Sequence, residues 1–367
     1  MASRIVLFGA TGYTGDLTAR ELVRRGQRPV LAARNADRLS ALAAELGGLR
    51  TQVADVSDPA SVAALVGPGD VLVSTVGPFM RFGDVALNAA IAKRAHYLDS
   101  TGEGPFIRKV FDQAGPRAQD AGVGLLTAMG YDFVPGNLAG ALALREGGAD
   151  VRRLDIGYFW TGTSAGGMSG GTRASAAGVA LEPALTWRDG RLIAERGAKR
   201  VRSFERRPGK EAPGVSIGST EAYALPRLQR DVWHVDTYLG WFGPASRPFQ
   251  AVAAMTAVAA KIPGVKAGLG ALTARLVKGS TGGPDAAARA KTRSIVVAEG
   301  FDVSGTKIAH VRLEGPNGYD LTASFLAWGA EQAAAGNLKG TGALGPVDGF
   351  GLDELEAAAA AAGLTAV

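Results

Sequence analysis

The stretch RIVLFGATGYTG, residues 4–15, decides the fold of this chain. A short apolar strand here runs into a glycine, so the backbone must turn sharply before a helix starts. Gly9 supplies that turn, Gly12 lets the backbone approach a pyrophosphate, and Gly15 lets the helix pack against the strand. The unpaired amide groups and positive dipole end of the helix then favour an anion. This order predicts a dinucleotide site at the start of a Rossmann-type, doubly wound parallel sheet.

The residues after this motif predict which dinucleotide binds. Helical spacing continues to Arg25, Gly26 is placed to cap the helix, and residues 30–33 form a second apolar strand. An NAD site has an acidic residue about 20 residues on, at the end of that strand, which binds the ribose 2′-hydroxyl. This chain has Arg34 there. Because a guanidinium pairs with a phosphate and gains little from neutral hydroxyls, the sequence predicts NADP(H) as the cofactor.

Further strand–helix units place more loops on the same edge of the predicted sheet. Strands are predicted to end near residues 53, 75, 99 and 128. Ligands bind at the carboxyl ends of the strands in open α/β sheets, so these loops supply the predicted cofactor-binding residues. Those residues are Gly9, Thr11, Gly12, Tyr13, Thr14, Gly15, Arg34, Asn35, Asp55, Val56, Val76, Gly77, Pro78, Ser100 and Gly130.

Composition limits the class of protein. The chain has 367 residues, of which 47% are hydrophobic and 20% charged, as expected for a globular protein with more than one domain. The lack of cysteine excludes disulfides and cysteine-based metal sites, and it fits a cytoplasmic location. The first predicted strand begins too close to residue 1 for a signal peptide to precede it. The net charge of +6 is modest, and no aromatic residues interleave with a basic stripe. We therefore expect no nucleic-acid partner and, from three scattered histidines, no metal.

The pattern of elements changes after about residue 149. Strands are predicted at residues 151–160, 295–303, 309–313 and 321–325, with Pro316-Asn317-Gly318 as the turn of the last pair. A glycine-rich loop at 166–172 and a helix from about Arg173 lie between them. Strands without intervening helices predict a largely antiparallel sheet in an α+β domain. The predicted division is a Rossmann domain at 1–148, an α+β substrate or dimerisation domain at 149–330, and a C-terminal tail and helix at 331–367 that can pack back on the Rossmann domain.

Four segments of the chain resemble the saccharopine dehydrogenase-like oxidoreductases, specifically the bacterial branch that includes trans-acting enoyl reductases of lipid and polyketide pathways. They are GATGYTG at 9–15, VGPF at 76–79, YLDSTGE at 97–103 and GYDFVPGNL at 130–138, and SGGT at 169–172 is similar to a fifth. The resemblance implies an NADP(H)-binding Rossmann domain, a second α+β domain, and hydride transfer in the cleft between them. It does not imply the saccharopine reaction itself, because members of the family act on other substrates.

Tyr131 and Asp132 follow the last predicted strand of the Rossmann domain and are the candidate catalytic residues. For a conjugated C=C acceptor, hydride addition leaves an enolate that needs hydrogen-bond donors and a proton, and Tyr131 can supply either. For a C=N acceptor, Asp132 or Glu103 can stabilise the iminium cation. The structural alternatives are that Tyr131 seals the strand end with its ring and that Asp132 and Asp99 cap turns or helices. A non-catalytic NADP(H)-binding sensor or structural protein is a further alternative.

Two segments of the second domain bear on partners. The first is a basic cluster formed by Arg196, Lys199, Arg200, Arg202, Arg206, Arg207 and Lys210. It can dock an acyl carrier protein or the phosphates of coenzyme A, but a solvated hairpin rim is the favoured interpretation. The second is the apolar segment 249–276, whose uncharged part is too short to span a bilayer and predicts a packed helix, with an interfacial role as the alternative. The expected partner is a small-molecule or carrier- or CoA-bound substrate, and a homodimer stays open.

Overall fold

The computed structural model describes residues 3–162, 183–259 and 282–367. The predicted glycine-rich loop at 166–172, the helix from Arg173 and the second part of the apolar segment 249–276 lie outside these ranges. The described chain forms two compact units. The first unit comprises Met1–Thr101, Phe106–Val134 and Gly318–Ala362, and the second comprises Gly102–Pro105, Pro135–Asn317 and Gly363–Val367.

The described strands and helices have the following bounds. The strands are β1 (Ile5–Phe8), β2 (Val30–Ala33), β3 (Thr51–Val53), β4 (Val71–Ser74), β5 (His96–Asp99), β6 (Gly124–Leu126), β7 (Arg153–Thr161), β8 (Pro183–Arg188), β9 (Arg191–Arg196), β10 (Val201–Arg207), β11 (Lys210–Ile217), β12 (His234–Leu239), β13 (Arg293–Phe301), β14 (Lys307–Gly315), β15 (Gly342–Ala343) and β16 (Thr365–Ala366). The α-helices are Tyr13–Arg24, Ala36–Glu45, Pro59–Ala63, Phe79–Ala92, Gly104–Lys109, Gly115–Ala121, Val134–Gly147, Glu221–Leu228, Ser246–Ala259, Ala286–Ala290, Gly318–Ala334, Pro346–Phe350 and Leu352–Ala361.

The first unit contains a seven-stranded parallel sheet in the order β15-β6-β5-β4-β1-β2-β3. Strands β1, β2 and β4 are buried along their whole length, as expected for parallel strands covered by helices on both faces. The strand order reverses between β1 and β4, which creates a crevice at the carboxyl ends of these two strands. The predicted Rossmann-type doubly wound sheet is confirmed.

One predicted strand, at residues 321–325, is wrong. These residues lie inside the helix Gly318–Ala334, and Pro316-Asn317-Gly318 leads into that helix instead of forming a hairpin turn. β14 pairs antiparallel with β13, across a turn near residues 302–306, and with β16. A helix that is buried on most of its surface has no polar face, so a short apolar run in its sequence cannot be distinguished from a buried strand. This helix is such a case, because nine of its residues from Leu321 to Ala333 are buried.

The returning helix completes the first unit. A Cβ atom on Gly329 would lie 2.9 Å from Cδ2 of Leu98 and 3.0 Å from Cε of Met129, so the helix backbone rests almost directly on the sheet. At the surface, Glu331 accepts a hydrogen bond from Nε of Arg25 at 2.7 Å. The first unit is therefore assembled from distant parts of the chain, and its bounds differ from the linear division at residues 148 and 330.

The second unit contains a nine-stranded mixed sheet. Its main path runs β10-β11-β12-β7-β13-β14-β16, and β8 pairs with β12 and β9. All of these pairs are antiparallel except β12 with β7. The largely antiparallel sheet predicted for the second domain is confirmed. Within the described residues, no helix is long and apolar enough to cross a membrane.

Candidate functional site

The glycine-rich turn after β1 is fixed by backbone contacts with the neighbouring strands. Gly9 has a φ of +91°, a conformation that favours glycine, and its amide donates to the carbonyl oxygen of Ala32 at 2.8 Å. The Thr75 hydroxyl donates to the carbonyl oxygens of Phe8 and Gly9, both at 3.2 Å. Sequence reasoning missed Thr75, which joins the ends of β1 and β4. The sequence feature that could have indicated Thr75 is a hydroxyl residue placed between a buried strand and the loop that follows it.

Gly12 and Gly15 serve different purposes at the start of the helix Tyr13–Arg24. A Cβ atom on Gly15 would lie 2.1 Å from the carbonyl oxygen of Gly9, so only glycine lets the helix approach the turn. Gly12 is the N-cap residue and provides no side-chain hydrogen bond to the first turn. A Cβ atom there would meet only the carbonyl oxygen of Gly9, at 3.2 Å. The first-turn amides therefore lack a side-chain cap and have open space beside Gly12, which fits a pyrophosphate.

This difference predicts a separation of stability from cofactor binding. Gly15→Ala forces a methyl group against backbone and should lower the free energy of unfolding by about 1–3 kcal/mol. Gly12→Ala should leave the unfolding free energy nearly unchanged but weaken NADPH binding, because its methyl group occupies space beside the amides. Urea unfolding and NADPH titration of both variants check the prediction. Equal loss of stability in the two variants would contradict it.

Arg34 stands at the carboxyl end of β2, where the sequence predicts the 2′-phosphate site. The side chain is exposed, and none of the described residues accepts a hydrogen bond from it. Its positive charge contributes to a lowered pKa of the Asp55 carboxyl, after larger effects from the backbone and hydroxyl of Ser57. Arg38, which sequence reasoning missed, lies one helical turn further on and donates from Nη2 to the carbonyl oxygen of Thr11 at 2.9 Å. A second basic residue four positions after Arg34 was the available signal.

Asn35 and Asp55 have local structural roles next to the predicted cofactor site. Oδ1 of Asn35 caps the helix Ala36–Glu45 by accepting from the Arg38 amide at 2.8 Å. Oδ1 of Asp55 accepts from the amide and the hydroxyl of Ser57, both at 2.8 Å. The side chain of Asp55 thus stabilises a local turn with the backbone two residues further on. Val56, next to it, is partly exposed. The roles of Asn35, Asp55 and Val56 toward a cofactor stay predictions.

The loops after β4 and β5 lie on the same edge of the sheet. Val76 and Pro78 are partly exposed and Gly77 is exposed, immediately before the helix Phe79–Ala92 begins. The Gly77–Pro78 peptide bond is cis. Ser100 is also partly exposed, directly after β5. These positions are accessible to a ligand, and their role toward the nicotinamide half of a cofactor stays a prediction.

Asp99 ties the end of β5 to the end of β6. It is completely buried, and Oδ1 accepts from the amides of Thr101 and Ala128, both at 2.9 Å. Oδ2 accepts from the Thr127 hydroxyl at 2.8 Å. Burial raises the pKa of Asp99 to about 6 in spite of these donors, which favour the charged form. The structural alternative for Asp99, a turn cap, is confirmed.

Gly130 and Tyr131 anchor the next loop against the helix Gly318–Ala334. A Cβ atom on Gly130 would lie 2.8 Å from Cγ2 of Thr322, so glycine permits this close approach. The Tyr131 amide donates to the Thr322 hydroxyl at 3.0 Å, and the residue is only 6% exposed. A Cβ atom on Gly318 would lie 3.0 Å from the Tyr131 ring. The ring therefore seals the loop against the helix, as its structural alternative predicts, and a catalytic role for Tyr131 stays a prediction.

Asp132 is partly exposed, and the pKa of its carboxyl group differs from the ordinary value. Burial raises the pKa of its carboxyl group to about 7, and none of the described residues gives this carboxyl a hydrogen bond or an ion pair. The residue still retains some contact with solvent. A carboxyl group in this state exchanges protons near neutral pH, which is the property required of a general acid.

His96 of the first unit has a structural role. His96 accepts from the Gly124 amide at its Nδ1 atom, 3.0 Å away, and burial lowers its pKa. Across the described residues, no group of three or more His, Cys, Asp and Glu side chains is arranged to hold a metal ion. The candidate site of the first unit therefore consists of the glycine-rich turn, Arg34 with Arg38, the loops after β4 and β5, and Asp132.

Comparison with known proteins supports this interpretation for the N-terminal part of the chain. Residues 5–126 match the family model of the saccharopine dehydrogenase NADP binding domain. A Mycobacterium tuberculosis protein whose name places it among the trans-acting enoyl reductases is 39% identical over 180 residues, 47% of this chain and 42% of the relative. The trans-acting enoyl reductase of Mycobacterium ulcerans is 40% identical over 141 residues, 36% of this chain and 34% of the relative. The chain thus spans less than half the length of the curated relatives it matches.

A solved structure extends the likeness to the fold of the whole chain. The L-Glu-forming saccharopine dehydrogenase of Saccharomyces cerevisiae matches 100% of this chain and 99% of its own, with a TM-score of 0.61 and 12% identity. At this identity the likeness shows the fold alone. The family model, independently of this structure, supports the resemblance seen in the sequence motifs and NADP(H) as the cofactor. Residues 5–126 are thus similar to the saccharopine dehydrogenase NADP-binding domain.

Proposed function

We propose that this chain is an NADPH-dependent oxidoreductase that reduces the conjugated C=C bond of an enoyl acceptor, carried by a lipid or polyketide-like substrate. Three features support the proposal: the NADP-binding family of residues 5–126, the names of the mycobacterial relatives, and the state of Asp132. NADPH supplies a hydride when it is bound. The substrate is a small molecule or is attached to a carrier or to coenzyme A.

The cofactor end of the proposed site needs two anion-binding features. The amides at the start of the helix Tyr13–Arg24 would bind the pyrophosphate, because Gly12 leaves them without a side-chain cap. Arg34 would pair with the 2′-phosphate, since its guanidinium has no acceptor among the described residues. Arg38, held to the glycine-rich turn, would keep the local potential positive.

The feature that carries the proposed reaction is the Asp132 carboxyl group, which is partly exposed, has no hydrogen-bond or ion-pair partner among the described residues, and has a pKa raised by burial. Addition of a hydride to the β-carbon of an enoyl group forms the C–H bond there and moves the electron pair of the double bond toward the carbonyl oxygen. The resulting enolate needs one proton at its α-carbon. A carboxyl group with a pKa of about 7 is partly protonated at neutral pH and can donate that proton.

An imine acceptor is the second candidate, and the same residue gives it a specific basis. Above pH 7 the carboxylate form of Asp132 would stabilise an iminium cation, because the described residues offer it no other cation. Hydride addition to the iminium carbon then yields the amine. We rank the enoyl acceptor first because relatives carry that name.

A substrate panel separates these possibilities. The protein is incubated with NADPH and, separately, with enoyl thioesters, cyclic imines, or keto acids paired with amines, while absorbance reports NADPH oxidation. Turnover with enoyl thioesters only is expected. Turnover with imines only would replace the proposal by the imine reductase. Tight NADPH binding without turnover on any acceptor would favour a non-catalytic sensor or structural protein.

A further inference from the structure

The proposed proton donor depends on its loop for its position. None of the described residues gives the Asp132 carboxyl group a hydrogen bond or an ion pair. A side chain without polar partners lies where its backbone places it and where its neighbours leave room. We call residues 128–134 the acid loop. The contacts that anchor this loop therefore decide where the Asp132 carboxyl group lies.

Two hydrogen bonds hold the ends of the acid loop. The Ala128 amide donates to Oδ1 of Asp99, and the Phe133 amide donates to the carbonyl oxygen of Ala128, both at 2.9 Å. These bonds fix the start and the end of the loop. Neither of them involves the amide of Tyr131, the residue directly before Asp132, so the middle of the loop needs a separate anchor.

Thr322 of the helix Gly318–Ala334 supplies that anchor. Its hydroxyl oxygen accepts from the Tyr131 amide at 3.0 Å, and the hydroxyl donates to the carbonyl oxygen of Gly318 at 2.7 Å. The second bond holds the side chain in one orientation, so the oxygen presents a lone pair to the loop. Tyr131 is only 6% exposed, so water has little access to replace this acceptor.

The methyl group of Thr322 makes a second contact with the acid loop. A Cβ atom on Gly130 would lie 2.8 Å from Cγ2 of Thr322, so this methyl group packs directly against the loop backbone. The two branches of the threonine side chain thus act differently, the hydroxyl group by a hydrogen bond and the methyl group by packing. Substitution can separate them, because valine keeps the methyl group and serine keeps the hydroxyl group.

The helix that carries Thr322 is itself fixed against the helix that begins at the glycine-rich turn. Near its start, the Tyr319 ring packs edge-on against the Tyr13 ring, with 5.1 Å between the ring centroids. Near its end, Oε2 of Glu331 lies 2.6 Å from Nη2 of Arg25. One helix therefore contacts both the glycine-rich turn and the acid loop, and it holds the two in a fixed relation within the first unit.

We propose that Thr322 is a positioning residue, whose hydroxyl group holds the acid loop so that the Asp132 carboxyl group can reach the acceptor. The inference rests on the proposed function, because Asp132 is the proton donor of that reaction. Thr322 acts through the Tyr131 amide and needs no contact with the substrate or the cofactor. It lies 191 positions after Tyr131, outside the residues 5–126 that match the family model.

Steady-state kinetics of Thr322 variants of the full chain test the inference. Thr322→Val keeps the shape and the methyl group but removes the acceptor. It should lower kcat for the acceptor identified by the substrate panel by about tenfold, because a small displacement of a reacting group slows the reaction. Thr322→Ser keeps the hydroxyl group and should retain most of the wild-type kcat, although it loses the methyl contact. KM for NADPH should not change in either variant.

A second measurement needs no turnover. NMR of the carboxyl carbons follows the titration of Asp132, whose signal is identified by its loss in Asp132→Asn. Burial raises the pKa of this group to about 7 in the wild type. A loosened loop admits water, so Thr322→Val should move the pKa toward the ordinary value of an aspartate. Thr322→Ser should keep the wild-type pKa, and so should the matched control Ser324→Ala, a partly exposed hydroxyl residue on the same helix.

The outcomes separate the inference from the proposed function. Thermal unfolding first checks that each variant folds. A folded Thr322→Val protein with the wild-type titration of Asp132 would overturn the positioning role, whatever reaction the protein catalyses. A loss of kcat shared equally by Thr322→Val and Thr322→Ser would also overturn it, because packing alone would then explain the loss. Absence of turnover by the wild type on any acceptor would instead overturn the proposed function, and the inference that rests on it.

Discussion

Asp132→Asn is expected to lower kcat for an enoyl thioester by about 10²- to 10⁴-fold, the usual loss when a general acid is removed. Asparagine keeps the size of the side chain but has no acidic proton to donate to the α-carbon. NADPH affinity should change little, because Asp132 is assigned to the acceptor and not to the cofactor. Steady-state kinetics with the substrate identified by the panel, together with NADPH titration, measure the two effects.

The pH dependence of the wild-type enzyme provides the control. Because burial raises the pKa of Asp132 to about 7, the protonated donor is present below that pH and is lost as pH rises through it. kcat/KM should therefore fall above about pH 7 in the wild type. Asp132→Glu retains an acid and should keep part of the activity. An Asp132→Asn enzyme with wild-type kcat and the same alkaline decline would remove Asp132 from the mechanism.

Arg34→Ala is expected to weaken NADPH binding by about 10- to 100-fold while leaving NADH binding almost unchanged, the range for hydrogen bonds to a charged group. The reason is that only NADPH carries the 2′-phosphate, and no described residue accepts a hydrogen bond from this guanidinium. Fluorescence titration with both cofactors measures the ratio of affinities. The effect should shrink at high salt, because the site is exposed and screened.

A matched control for Arg34 is Arg28→Ala. Arg28 is another arginine of the first unit, and it donates to the carbonyl oxygens of Gly47 and Gly48 at the surface. Its replacement should leave both cofactor affinities unchanged. Equal losses for NADPH and NADH in Arg34→Ala would show that Arg34 does not bind the 2′-phosphate, and the assignment would then pass to Arg38.

The first half of the fold was predictable because each local signal agrees with the others. Gly9 and Gly15 stand where a positive φ and a close helix approach require them, and Asp58 caps the short helix that begins at Pro59. Such features depend on neighbours in the sequence. The Arg38 contact with Thr11 depends on how the second helix lies over the turn, and the sequence carries that information only weakly.

The second half was harder to predict because its determinants are far apart in the chain. The partners of Arg200 and Arg202 include Asp155, Asp236 and Glu299, which lie on other strands, so the basic cluster resembled an exposed rim. The raised pKa of Asp132 likewise follows from burial, which no local pattern encodes. The residue was predictable as a candidate, but the raised pKa on which its proposed role depends required the fold.

The helix Gly318–Ala334 has a consequence for how this protein is made. The family match ends at residue 126, yet the sheet of that domain is covered by a helix that follows almost two hundred further residues of chain. During synthesis the cofactor domain cannot complete its core until this helix has left the ribosome. The residues that form most of the second unit emerge before that helix, so a nascent chain would carry an unfinished cofactor domain with exposed apolar surface.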